Sequence, residues 1–420
     1  MWNWIISFFL IFLLSARCFA QNLGNVTLYD VDNSELSYNQ INSMEFDSQN
    51  RLWIGTQDGL SVFDEPNNNW FNFNAETPWC YLATNVITSL EWSDDLSMMF
   101  IGTNSGITDY LYMGEMSDKN PEGAWSPAFG SACSPNTGII KSLLYSDGIW
   151  SGSTDGLCVQ YLGGEGGWLL QNTTNGFYSN NITSIKLNPN NNIIAIGTMN
   201  GGLVTYDSEF NIYYSSNSDI LDNTVFDVAF DQNNNIIICT PQAGLGILTE
   251  NGSWIWLNTI NSSLPTNSLK NIVVDNNNNL WITTLENGLI NYKNNTFYHY
   301  TTDNSNLPDN HINCLLFGPN DHLWLGTENY GVVKVNTPII NRSEFTNDKI
   351  QVYPTIFNSK INITNPERTR VQIFNSHGKC MYNRSFDGNH LIDTNHYADG
   401  IFFVVLKTEN YIKTYKVIKS

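Results

Sequence analysis

Apolar and polar positions alternate through most of the chain in short runs, each bounded by Asn, Asp, Gly or Ser. Alternation at a period of two predicts half-buried β-strands, and the bounding residues are those that tolerate tight turns. One run is written seven times. It reads Leu52-Trp53-Ile54-Gly55-Thr56, then a turn, then Gly59-Leu60. It returns at Gly102, Gly152, Gly197 and Gly326, and without that glycine at Cys239 and Thr283. Successive copies are 47, 50, 45, 42, 44 and 43 residues apart. A period in the forties built from strand-like segments is the signature of propeller blades of about four strands each.

Each repeat opens on an apolar strand, as in Ile41-Asn42-Ser43-Met44-Glu45-Phe46 or Ile140-Lys141-Ser142-Leu143-Leu144-Tyr145. Its third residue is small or short and polar, as crowding around a central axis requires, so this is read as the channel-side strand. A polar turn, the Trp-Ile-Gly-Thr strand, a Gly-bearing turn and a third strand follow. A fourth, outer strand carries aromatics, as in Trp70-Phe71-Asn72-Phe73 and Trp254-Ile255-Trp256. Repeat seven lacks this fourth strand. Residues Asp32 to Ile41 match Asp303 to Ile312 at a constant offset of 271, so residues 25–31 are expected to supply it. Closure of that kind removes the open edge of an unpaired sheet. Repeat two departs most, with an extended segment from Tyr110 to Gly138. The expected fold is all-β: a seven-bladed β-propeller closed by an N-terminal strand over 21–340, a linker over 341–349, and a small Ig-like β-sandwich over 350–420.

At 420 residues the chain is long enough for a large repeat domain plus a smaller one. Trp4 to Leu14 is an uncharged apolar run of signal-peptide length, short for a membrane span, and cleavage is expected after Ala20. No span is expected in the mature chain. Residues 350–420 carry nine Lys/Arg and five Asp/Glu, leaving 10 and 34 for residues 1–349. An acidic ring repels phosphate backbones, so nucleic acid is not an expected partner. Cys80 and Cys133 lie in matching loops of neighbouring repeats and are expected to form a disulfide; Cys158, Cys239, Cys314 and Cys380 read as buried hydrophobes.

The "LWIGT…GL" repeat resembles the two-component-regulator propeller family. The resemblance implies the ring fold; members serve as extracytoplasmic sensors of hybrid histidine kinases or stand alone in exported proteins. The end of the chain resembles the C-terminal sorting domain of the type IX secretion system, through Tyr353 and Pro354, Gly378, Gly400, and the closing Lys416-Val417-Ile418-Lys419. Thr355-Ile356 departs from the Asn-Pro usual after the first motif. This resemblance implies the secretion machinery as a partner, export by way of the periplasm, and an extracellular or outer-membrane-surface location.

No nucleophile elbow, His-Glu-x-x-His motif or phosphate-binding glycine loop is present in the sequence. The Asp-x-Asn-x-Asn runs at Asp231 and Asp275 resemble calcium loops but lack the closing glutamate and read as turns. No cofactor, metal or catalytic residue is assigned. The favoured reading is an interaction module binding a glycan, peptide or envelope partner, with Trp79, Tyr81, Trp125, Trp168 and His311 as candidate contacts. The alternatives are an extracytoplasmic lyase or glycosidase with acids at the channel mouth, and a stand-alone sensor accessory. A histidine with two carboxylates at the axial opening would favour the enzyme.

Overall fold

The computed structural model describes residues 23–77, 80, 82–112, 123–127, 138–161, 168–336, 351–353, 356–357, 359–364, 368–375, 379–388, 390–407 and 412–419. They fall into two compact units divided after Pro338. The expected leader lies outside the described residues.

In the first unit seven four-stranded antiparallel sheets form, one per repeat. Their innermost strands are Ile41–Phe46, Ile87–Ser93, Ile140–Tyr145, Ile182–Leu187, Asp227–Phe230, Leu269–Val274 and Ile312–Phe317. Each touches the next in cyclic order, and the seventh returns to the first. The seventh sheet borrows its outer strand from the start of the chain: Asn25–Tyr29 pairs with Val332–Asn336, from Asn25 against Asn336 to Tyr29 against Val332. The expected closure is what the ring uses. Tyr29 also binds the seam sideways, stacking on Trp324 of its own sheet at 6.0 Å and tilting against Phe63 and Trp70 of blade one at 5.0 and 6.1 Å. Beside it Lys334 of blade seven pairs with Glu65 of blade one.

The recurring glycine is a spacing device. A Cβ on Gly55 would stand 2.6 Å from Cγ2 of Ile87, the first residue of the next blade; Gly152 meets Ile182 and Gly326 meets Ile41 in the same way. Contacts under about 3 Å cannot be held, so the glycine lets neighbouring blades approach. Blades five and six, which lack it, change locally. Blade five's innermost strand starts only at Asp227, and in blade six the register shift that other blades also show is one residue longer, from Leu269 to Ile272.

The third residues do more than save space. An innermost strand is a sheet edge with amides unpaired by any ladder, and a buried unpaired amide costs about 1–3 kcal/mol. Ser142 Oγ accepts from the Ile185 amide at 2.9 Å and Asp227 Oδ2 from Ile272 at 2.9 Å; Glu91, the fifth residue of its strand, does the same through Oε1 for Tyr145 at 3.0 Å. Each polar side chain thus satisfies the next blade's edge.

The second unit holds a three-stranded sheet (Gln351–Tyr353, Lys360–Thr364, His390–Asp393) and a five-stranded one (Ile356–Phe357, Ile412–Lys419, Gly400–Lys407, Thr369–Asn375, Cys380–Phe386). One core joins them, with Ile361, Ile363 and Ile392 from the first and Val371, Ile373, Val404, Leu406 and Val417 from the second.

Candidate binding face and channel mouth

Antiparallel order fixes two faces on the ring. At one, the turns between second and third strands meet the loops that link each outer strand to the next blade; the Gly59 amide, for instance, donates to the Asn85 carbonyl at 2.7 Å. At the other lie the hairpins between first and second strands, and between third and fourth. These two faces differ in chemistry.

The hairpin face is polar and stitched together. Asn188 and Asn190 donate to Asn234 Oδ1, the Gln232 amide to Asn278 Oδ1, and Asn276 Nδ2 to Asp321 Oδ1, each bond joining one blade to the next. Asp231 and Asp275 spend their carboxylates on their own turns, accepting from the backbone and side chain of Asn235 and Asn279 at 2.8 Å. Asp47 does the same for Arg51 and also accepts from Trp53 Nε1 at 2.9 Å.

The loop face carries the exposed apolar surface. Val31, Tyr38, Ile139, Tyr178, Leu221, Ile260, Leu285 and Tyr330 all lie in its loops and turns, with Ile260 92% and Leu221 61% exposed. Of the ring's other exposed large hydrophobics described, Ile255 and Tyr298 sit on outer strands, and none lies on the hairpin face.

In the centre of the loop face the axial channel opens into a cavity of about 350 Å³. Bulges build its wall. In six blades the register shifts just after the first residue of the innermost strand, and a bulge re-aims a side chain out of the ladder. The re-aimed residues include Asn42, Thr88, Lys141, Lys270 and Asn313, all lining the cavity with Gln40, Gln57 and Glu328. A belt of bonds holds them. Asn42 Nδ2 donates to the Ile87 carbonyl at 2.9 Å and Asn313 Nδ2 to that of Ile41 at 3.0 Å; Lys141 Nζ donates to Asn181 Oδ1 and Lys270 Nζ to Asn313 Oδ1, both at 2.8 Å. Burial pushes both lysines down, opposed at Lys270 by Cys314 and Glu328.

Further along the channel, Glu45, Glu91 and Asp227 stand near Lys186. Burial raises all three carboxylates; Glu91, beside Glu45, is pushed up to about 8. Asp227 is committed to the backbone and to Ser184 Oγ at 2.5 Å, and Glu91 to the Tyr145 amide.

Of the residues expected to make contacts, His311 is half-exposed in the loop before the seventh innermost strand, outside the cavity lining, with Nδ1 3.5 Å from Asp309 Oδ1. Asp309 is buried and accepts from the backbone of His311 and Asn329 at 2.9 and 3.1 Å. Asp222, its counterpart in blade five, accepts from Thr224 and Gln242 with no histidine beside it, so this carboxylate shapes a turn. Trp125 and Trp168 lie in the outer strands Gly123–Pro127 and Trp168–Gln171 of blades two and three; their side chains, and all of Trp79 and Tyr81, lie outside the described residues. Cys80 is a free thiol, so the expected bridge to Cys133 is not made, and Cys133 itself is outside the described residues. Cys158 is disulfide-bonded to a partner beyond the described residues, where a free buried thiol was expected. Cys239 is buried as expected, Cys314 partly so, and Cys380 exposed against expectation. Matching loop position was too coarse a guide to pairing, because a disulfide needs Cβ atoms about 4 Å apart.

In the tail, Gly400 opens its strand at a φ of +146°. Lys419 is buried, its Nζ donating to the Tyr397 carbonyl at 2.6 Å. Tyr353 and Lys416 lie in strands whose side chains there are not described, and Pro354 and Gly378 fall outside the described residues.

Sequence reasoning missed Lys141 and Lys270. The signal was there: among Arg51, Lys119, Lys141, Lys186, Lys270, Lys293 and Lys334, the cations of residues 23–336, these two share one position of the repeat.

Fold, repeat and tail together define an exported propeller protein. Residues 351–420 match the profile of the secretion system C-terminal sorting domain, and residues 35–58 and 306–329 that of the two component regulator propeller. The chain thus carries two-component-regulator propeller repeats and a type IX sorting tail, which indicates secretion or the cell surface. Over 169 residues it is 28% identical to histidine kinase P4 of Formosa agariphila, spanning 37% of this chain and 11% of that protein. Among solved structures, it is similar to the extracellular domain of BT3049 of B. thetaiotaomicron, named for a hybrid two component system (TM-score 0.63, 17% identity, 94% of this chain and 57% of that one). It is also similar to PorZ of Porphyromonas gingivalis, a surface component of the type-IX secretion system (TM-score 0.55, 16% identity, 94% and 60%). The chain therefore spans less than two thirds of each of these relatives. At such identities the likeness to the solved structures is one of fold. No helix among the described residues is long and apolar enough to cross a membrane.

Proposed function

We propose that this protein is an exported interaction module that binds a glycan, peptide or envelope partner on the loop face of its ring, after passage through the periplasm. The asymmetry between faces carries the reading: exposed apolar side chains surround the channel mouth, whereas the opposite face is polar and tied up in its own hydrogen bonds. Monomeric soluble proteins rarely gather exposed apolar groups without an interaction to serve. The mouth adds a cavity of ligand size with a few placed polar groups. An enzyme is supported less well, since Asp227, Glu91 and Asp309 are each engaged by backbone amides.

The test is a glycan array and a peptide library probed with the purified chain, its Leu221→Glu and Ile260→Glu variants, and a hairpin-face control, Gln232→Glu. Retention lost only in the loop-face variants is expected. Loss confined to Gln232→Glu, or retention indifferent to all three, would put the binding surface elsewhere.

A further inference from the structure

The mouth holds two ammonium groups with no carboxylate oxygen of the described residues within 4 Å, Glu328 acting on Lys270 only from further off. The two buried cations described in the ring are both paired: Arg51 meets Asp47, and Lys334 meets Glu65. Lys141 and Lys270 form no ion pair among the described residues, although residues 1–349 hold 34 acids against 10 bases. Each is partly buried and spends one N–H on an Asn carboxamide. An ammonium has three donors, so two on each remain for a ligand. Withdrawing a cation from water without a partner is costly, and burial has already pushed both lysines down. They come from blades three and six and line one cavity.

We propose that the channel mouth is a binding site for an acidic sugar, its carboxylate held by Lys141 and Lys270. The inference rests on the loop face being the binding face and names the ligand class. Three features favour a sugar over an acidic peptide. The other polar groups of the wall are largely carboxamides (Gln40, Asn42, Gln57, Asn313), which both donate and accept, as sugar hydroxyls do. Exposed Tyr38, Tyr178 and Tyr330 on the same face offer flat rings to the rest of a saccharide chain. Glu328 also lines the cavity, leaving one positive charge in excess, which matches a single carboxylate rather than a run of them.

The experiment is calorimetry on the full chain with three probes: an oligouronate, its methyl ester, and oligoglutamate of similar length. The oligouronate is expected to bind at least about tenfold more tightly than the ester. Lys141→Gln and Lys270→Gln, which remove the charge but retain an N–H donor, should each lose about tenfold or more, as for a charged hydrogen bond. Raising salt from about 50 to about 500 mM should weaken binding, since ion pairs are screened. Unchanged melting temperatures certify that the variants fold. Equal affinity for acid and ester, unchanged affinity in both well-folded lysine variants, or preference for oligoglutamate overturns the proposal. Should acid and ester bind alike and Tyr178→Ala weaken both, the loop-face reading stands and this one falls. Should no saccharide or peptide bind, both fall.

Discussion

At the residue scale, the chain repeatedly gives one side chain several backbone duties. Asp47 is the clearest case: it accepts from the amides of Gln49 and Arg51, from Arg51 Nε and from Trp53 Nε1. Arg51 and Asp47 are both buried, so removing the carboxylate strands a charge in the interior. Asp47→Ala is therefore expected to cost about 3–5 kcal/mol by denaturant unfolding. Asp58→Ala loses one exposed bond from Asn85 and should cost under about 1 kcal/mol. Similar losses in the two variants would show that turn position matters and the network does not. The turn role of Asp231 and Asp275 was legible in the sequence because Asn and Asp recur where hairpins must bend. The inter-blade bonds from those same turns were not, since spacing along the chain says nothing about which neighbour a side chain reaches.

At the element scale, the innermost strands combine edge satisfaction with an enclosed charge cluster. Glu91 is pushed up to about 8, first by burial and then by Glu45, with the Tyr145 amide and Lys186 pulling the other way. An unfolded glutamate titrates near pH 4.3. Between about 4.3 and about 8 the folded chain holds a proton the unfolded chain has released, so stability falls as pH rises through that window. Glu45 and Asp227 are shifted in the same direction. The melting temperature should drop from pH 5 to pH 8, and Glu91→Gln, which can still accept from Tyr145, should flatten the slope. A wild-type profile that rises over this range would contradict the assignment. Strand order, the channel strand and its small third residue all showed in the periodicity. The second position did not stand out, because its exposure at the mouth depends on a bulge that two-residue alternation cannot reveal.

For the whole molecule, closure is the decisive feature, and it was legible because the repeat runs past both ends of the ring. Five residues at the chain start complete the seventh sheet, and Tyr29 packs across the seam. Deleting residues 25–29 should expose the Val332–Asn336 edge and produce concentration-dependent association, read by light scattering. A monomer of undiminished stability would mean that the seam is held by other contacts. Cysteine pairing was not legible: it depends on loop paths that no repeat register specifies.

The strand that passes the chain on toward its tail runs away from the channel mouth, starting at the Gly331 turn and ending with Asn336 beside Asn25 on the hairpin side. The ring's first described strand thus begins, and its last ends, at the pole opposite the channel mouth.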